Sequence, residues 1–142
     1  MELLTASHLF VYGTLRSDAG GAMHDRLMRG VRSLGRASIA GRLYDAGRYP
    51  AAVLSDHPAE RINGELYAID ADAAGALLAA LDAYEGVDAA HPALSLFRRS
   101  VVAAEREDGM RIPSWVYFYN RRVDSLPRVT SGDWPGQPRS GW

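Results

Sequence analysis

The first apolar run, Leu9-Phe10-Val11-Tyr12, is dense in strand-forming residues and stops at Gly13, so it predicts a buried β-strand followed by a tight turn. Between His24 and Val31 the apolar residues Leu27, Met28 and Val31 fall three and four apart. That spacing predicts a short helix, ended by the turn residues around Gly35. The stretch from Ala37 to Leu54, ASIAGRLYDAGRYPAAVL, carries β-branched and aromatic residues interrupted by Gly41, Gly47 and Pro50, and predicts two strand segments around a turn. Ile62 to Ile69, INGELYAI, predicts another strand, in which Gly64 marks a bulge or a close backbone approach.

One helix is written more strongly than the rest. Asp70-Ala71-Asp72 precedes AAGALLAALDAYEG, where an aspartate can cap free N–H groups and alanine and leucine favour helix. Gly86 is the usual residue for a left-handed turn after a helix, which places the helix end close to Glu85. The runs LFRRSVVAA and SWVYFYN are strand-like, and the Asp108-Gly109 pair between them predicts an antiparallel hairpin. From about residue 131 to 142 the chain is rich in glycine and proline, which predicts an irregular tail whose two tryptophans can dock on the body. Short strands around one strong helix predict an α+β fold on a mostly antiparallel, barrel-like sheet.

Composition narrows the function classes. The 142 residues, 47% of them hydrophobic, fit a single domain over 1–142. Sixteen lysines and arginines against seventeen acidic residues leave no basic footprint, so no nucleic-acid partner is expected. There is no cysteine, which excludes disulfides, thiolate zinc and a cysteine nucleophile and fits a reducing compartment. The N-terminal residues lack a basic start and a long apolar run, and no window approaches the roughly 18 apolar residues of a membrane span. The expectation is a cytoplasmic protein with no membrane partner; the oligomeric state does not follow. His8, His24, His57 and His91 show no paired ligand spacing, so neither a metal nor a cofactor is expected.

Glu85 is the ionisable residue placed where a charge is costly. At about 100° per residue, Ala74, Leu77, Leu78, Leu81 and Tyr84 form an apolar stripe, and Glu85 projects within it, with Asp82 nearer its edge. Lost hydration and the negative end of the helix dipole would both raise its pKa, which is how a general base is tuned. Against that stands a frayed last turn, with Glu85 in solvent or paired with Arg98 or Arg99. The segment Val11 to Leu15, VYGTL, offers a complementary half: a glycine turn lets backbone N–H groups of Gly13, Thr14 and Leu15 converge on an anion or oxyanion, unless it is an ordinary turn. Arg16, next in line, is either an anion ligand or a solvated charge. Tyr117 and Tyr119 share one face of their strand, for packing or for a substrate hydroxyl contact. No G-x-S-x-G elbow is present, although a serine–histidine hydrolase is not excluded by residue content.

Four ordered stretches, VYGTLR at Val11 to Arg16, GRLYDAGRYPA at Gly41 to Ala51, NGELYAID at Asn63 to Asp70 and LDAYEG at Leu81 to Gly86, resemble the γ-glutamylcyclotransferase-like group, which includes AIG2-like proteins and γ-glutamylaminecyclotransferase. The resemblance covers roughly residues 8 to 120. It implies a mixed β-barrel-like sheet with flanking helices and an intramolecular reaction: the α-amine of a γ-glutamyl group attacks its own γ-carbonyl, releasing 5-oxoproline and an amine or amino acid. It implies Glu85 as general base and a substrate-binding loop at Tyr12, Gly13, Thr14 and Leu15 acting through its backbone; Tyr119, from its strand face, is the further candidate for contact with the substrate. Thr14 stands where many members carry serine, and Phe97 where relatives often carry tyrosine. The alternative is a non-catalytic small-molecule-binding or regulatory module with the same pocket.

Overall fold

A computed structural model describes residues 6–12, 29–47, 49–88 and 90–134 of the chain. Six strands are present among them: β1 (His8–Val11), β2 (Val31–Asp45), β3 (Pro50–Leu54), β4 (Arg61–Ile69), β5 (Phe97–Arg106) and β6 (Arg111–Tyr119). One helix, α1 (Ala74–Tyr84), and a single 3₁₀ turn at Pro92–Leu94 lie between β4 and β5.

The sheet runs β3-β2-β4-β1-β6-β5, and β5 pairs again with β2 through Ala37↔Arg106 and Ser38↔Glu105. That last pairing closes β2, β4, β1, β6 and β5 into a five-stranded barrel, with β3 extending from β2 outside the ring. Every neighbouring pair is antiparallel except β1 and β6, which run parallel with Leu9 opposite Trp115. Closure removes the open edges that a flat sheet of this size would present. It also makes the α+β, mixed and mostly antiparallel architecture read from the sequence the observed one.

Strand alternation divides the core in two. Phe10, Ile39, Ile62, Leu66, Val116 and Phe118 pack together on one face. Their neighbours Leu9, Val11, Tyr67, Ile69 and Tyr117 turn the other way and meet Leu77 and Leu81 of α1. The helix is thus laid on the outside of the ring by the apolar stripe its spacing predicted.

Gly64 answers a close approach rather than a bulge: a Cβ there would lie 2.2 Å from the carbonyl oxygen of Val11. The irregularity in β2 falls instead between Ser33 and Gly35, where Gly35 has a φ of 90°. The hairpin predicted at Asp108-Gly109 joins β5 to β6, with Gly109 at a φ of 86° and the Asp108 carboxylate accepting the Met110 N–H.

Two readings are corrected. Val31, taken as the end of a short helix from His24, is the first residue of β2; residues 24–28 lie outside the described set. No aspartate side chain caps α1: its N-cap is Ala73, and a backbone turn, in which the Ala73 N–H bonds the Asp70 carbonyl at 3.0 Å, leads into the helix instead.

After β6 the chain returns along the barrel. The Val129 N–H bonds the Leu43 carbonyl, the Asp45 N–H bonds Pro127, and the Asn63 N–H bonds Gly132. This return seats Trp134 in the core cluster of Phe10 and Phe118, so one of the two tail tryptophans docks on the body; Trp142 lies outside the described residues.

Candidate functional site

The end of α1 is set by a glycine. Gly86 has a φ of 72°, the Gly86 N–H bonds the Ala83 carbonyl, and the Val87 N–H bonds the Asp82 carbonyl at 2.9 Å. Those paired bonds are the Schellman arrangement, and they fix Glu85 as the C-cap residue with φ −86° and ψ 0°. A Cβ on Gly86 would press on Leu96, whose own N–H bonds the Gly86 carbonyl. The turn that carries Glu85 is therefore tied to the chain entering β5.

Glu85 is 1% exposed, and neither carboxylate oxygen has a hydrogen-bond partner among the described residues. Burial holds its pKa well above the usual carboxylate range. The two competing placements are not observed. Arg99 grips Asp82, with Nε to Oδ1 at 2.8 Å and Nη2 to Oδ2 at 3.0 Å, and Arg98 bonds the Ser100 hydroxyl at 2.9 Å.

Tyr12, the first residue of the loop read as the other half of the site, is fully buried at the end of β1. Its hydroxyl donates to the Tyr117 carbonyl. Burial raises the Tyr12 pKa, the Glu85 charge raises it further, and a backbone hydrogen bond from Ala52 opposes both. The Glu85 charge also raises the pKa of Tyr117 and of Tyr84, each of which burial raises most. Three phenols from β1, α1 and β6 thus feel one carboxylate. Gly13, Thr14 and Leu15, the expected backbone donors, lie outside the described residues, as does Arg16.

Tyr119 stands on the same face of β6 as Tyr117, in an aromatic group of its own: Phe97 lies 5.5 Å away and Tyr49 6.3 Å, ring centre to ring centre. The group sits beside the Glu85 turn through Leu96, the neighbour of Phe97. Tyr117 does more than pack. Its hydroxyl donates to Asp82 Oδ1 at 2.6 Å, while its carbonyl accepts from Tyr12. Nothing in sequence spacing pointed to Arg99 or Tyr117 as the partners of Asp82, because both contacts are long-range.

Three surface cavities, of about 470, 270 and 280 Å³, are lined by other residues, the first by Arg36, Arg61, Asn63, Glu105, Arg106 and Asp133 among others. Glu85 lines none of these three. The site is located by its unpartnered buried acid and the residues that surround it. No group of three or more metal-ligating side chains occurs among the described residues, and no helix there is long and apolar enough to cross a membrane.

The family model described as Gamma-glutamyl cyclotransferase, AIG2-like matches residues 9–136. The gamma-glutamylcyclotransferase family protein YtfP of Escherichia coli strain K12 is 35% identical over 127 residues, which span 89% of this chain and 94% of that one. The solution structure of Escherichia coli ytfP aligns over 90% of this chain and 96% of its own, with a TM-score of 0.60 at 33% identity. An AIG2-like protein from Mus musculus, at 23% identity, shares the fold with a TM-score of 0.66 over 94% of this chain.

Proposed function

The chain belongs to the γ-glutamyl cyclotransferase, AIG2-like family, and from that premise we propose that it cyclises a γ-glutamyl amine or γ-glutamyl amino acid to 5-oxoproline with Glu85 as its general base. The observation that supports this reading most is the Glu85 carboxylate itself: 1% exposed, without a hydrogen-bond partner among the described residues, and held at the end of a helix beside the Tyr12 end of β1. A buried unpartnered carboxylate is unfavourable for stability and suits proton transfer, because its raised pKa strengthens it as a base.

In the reaction, the α-nitrogen of the γ-glutamyl group forms a bond to its own γ-carbon, and the bond from that carbon to the leaving nitrogen breaks. The α-ammonium gives up two protons in all. Glu85 carries them, in turn, to the departing nitrogen, which leaves as an ammonium, and the carboxylate returns to its starting state. The nucleophile is tethered to the electrophile, so holding the chain in a folded-back shape supplies much of the rate. The backbone N–H groups of Gly13, Thr14 and Leu15 would bind the carbonyl oxygen as it gains charge. Tyr12 contributes its backbone, since its hydroxyl is committed to Tyr117, and Tyr119 would border the substrate. No covalent enzyme intermediate and no cofactor enter the scheme.

The test is a panel of γ-glutamyl amines and γ-glutamyl amino acids with 5-oxoproline as the readout, run on the parent protein and on Glu85→Gln. Product from at least one compound, lost in the variant, is the expected result. Product formed equally by Glu85→Gln removes Glu85 from the mechanism. Saturable binding across the panel with no product identifies a binding module instead.

A further inference from the structure

Asp82 and Glu85, one helical turn apart, are in opposite states. Glu85 has no hydrogen-bond partner among the described residues, whereas Asp82 is held by three bonds, two from Arg99 on β5 and one from the Tyr117 hydroxyl on β6. Arg99 is itself fixed, its guanidinium lying 4.3 Å over the Trp115 ring. Asp82 also acts through its backbone, since its carbonyl takes the Val87 N–H that closes the turn around Glu85. Asp82 therefore anchors the last turn of α1 to the sheet by its side chain and shapes that turn by its carbonyl.

The helix otherwise holds to the sheet through its apolar stripe and the backbone bond from Leu96 to Gly86. It is eleven residues long, has no side-chain cap at its start, and buries only Leu77 and Leu81 fully. A short helix is marginal in water and depends on its tertiary contacts, and Asp82, three residues before Glu85, supplies side-chain contacts that join this turn to β5 and β6.

We propose that Asp82 and Tyr117 are positioning residues that clamp the C-terminal turn of α1 to β5 and β6, and so keep the Glu85 carboxylate in its water-excluded place beside Tyr12. This rests on Glu85 being the base, because only then does the clamp bear on turnover. Two-pronged Arg–carboxylate geometry suits the task, being both strong and directional. Tyr117 extends it to β1, since the strand that receives Asp82 through this hydroxyl receives Tyr12 through its carbonyl.

Loosening the clamp admits water to Glu85 and moves its proton affinity toward that of an ordinary carboxylate. The groups that face Glu85 are Tyr84 from its own helix, Tyr12 from β1 and Tyr117 from β6, with Asp82 and Arg99 behind them. In Asp82→Asn the released Arg99 charge acts in the same direction as water. In Tyr117→Phe no charge is released, so the shift is smaller.

The decisive measurement is an NMR titration of the full chain carrying ¹³C-labelled glutamate carboxyls, with the Glu85 signal assigned by its loss in Glu85→Gln. Asp82→Asn is expected to lower the Glu85 midpoint by about one pH unit or more, Tyr117→Phe by less, with both proteins folded by circular dichroism. On a γ-glutamyl compound the parent protein turns over, kcat should fall about tenfold or more while KM stays within about twofold. An unchanged midpoint in folded Tyr117→Phe and Arg99→Lys, as well as in Asp82→Asn, overturns the clamp. The titration needs no substrate, so a parent protein that makes no 5-oxoproline defeats the functional reading and leaves the clamp to be decided by the midpoints.

Discussion

The hydroxyl of Tyr12 donates to the main-chain carbonyl of Tyr117, 105 positions further along the chain. The relationship follows from topology. β1 and β6 run parallel, with Leu9 opposite Trp115, so the two strands end on the same side of the barrel and bring Tyr12 one residue beyond the position level with Tyr117. Phe97, the first residue of antiparallel β5, pairs with Tyr119 at that same end, and Leu96 before it carries the turn that holds Glu85. One unusual pairing in an otherwise antiparallel sheet therefore brings Tyr12, the turn that carries Glu85 and the aromatic group to one end of the barrel.

The buried state of Glu85 makes a prediction about stability. Its pKa is raised in the folded protein, so the unfolded chain releases the proton first, near the ordinary carboxylate value of about 4.3. From there up to the folded value stability falls with rising pH, and above it the penalty is constant. Glu85→Gln removes the penalty. Its Tm should match the parent's at pH 4 and exceed it at pH 8 by about 4 °C or more, measured by thermal melts at both values. A variant less stable than the parent at pH 8 would show that the carboxylate is held by favourable contacts instead.

Under the proposed mechanism the same shift sets the pH dependence of turnover. The base must be unprotonated to accept from the α-ammonium, so kcat/KM should rise with pH along a limb lying above the usual carboxylate range, as a raised Glu85 requires. A γ-glutamyl substrate assayed from pH 4 to pH 9 reports this limb. A limb at the ordinary carboxylate position means that Glu85 is solvated when it acts.

Much of this was readable from residue order. The helix end at Glu85 followed from Gly86, the turn between β2 and β3 from Gly47 and Pro50, and the hairpin from Asp108-Gly109, because each of those signals is a local backbone requirement, whereas Gly35 and Gly41 lie inside β2. The helix start did not follow, since no aspartate side chain caps it and a backbone turn from Asp70 to Ala73 leads in instead. Closure of the barrel through Ala37 and Arg106 and the contacts of Tyr117 and Arg99 with Asp82 are long-range, and no local pattern encodes them. Glu85 lay between: its helical direction put it within the apolar stripe and left a frayed turn or a pairing with Arg98 or Arg99 open, and only the structure shows it buried, with Arg99 on Asp82 instead.

Gly64 supports the Tyr12 end of β1 by having no side chain. A Cβ there would stand 2.2 Å from the Val11 carbonyl oxygen and 2.8 Å from Cζ of Phe10. The first contact is backbone and cannot move without breaking the β1–β4 pairing. Gly64→Ala should therefore destabilise the protein by about 3 kcal/mol, at the upper end of the usual cost of overpacking, as read by urea denaturation. Loss of less than about 1 kcal/mol would mean that β1 shifts freely, and the position of Tyr12 with it.

Glu60 tests how the returning C-terminal segment is held. Its carboxylate accepts from Arg42 Nε on β2 at 2.9 Å, from Arg128 Nη2 on the returning segment at 2.9 Å, and from the Ser55 hydroxyl. The Ser55 and Arg42 hydrogen bonds lower its pKa to about 2. The folded value is below the unfolded one, so this stabilisation is complete above the ordinary carboxylate value and is lost as pH falls through about 2. Glu60→Gln should lower the Tm at pH 6, with the gap to the parent closing as the pH falls through that window. The side chain is 17% exposed and its arginine partners more so, so salt reaches the group, and 0.5 M sodium chloride should narrow the gap at pH 6. A gap that persists unchanged at low pH would assign the loss to the shape of the side chain and not to its charge. A gap of zero at pH 6 would free Arg128, and the segment leading to Trp134, from any dependence on Glu60.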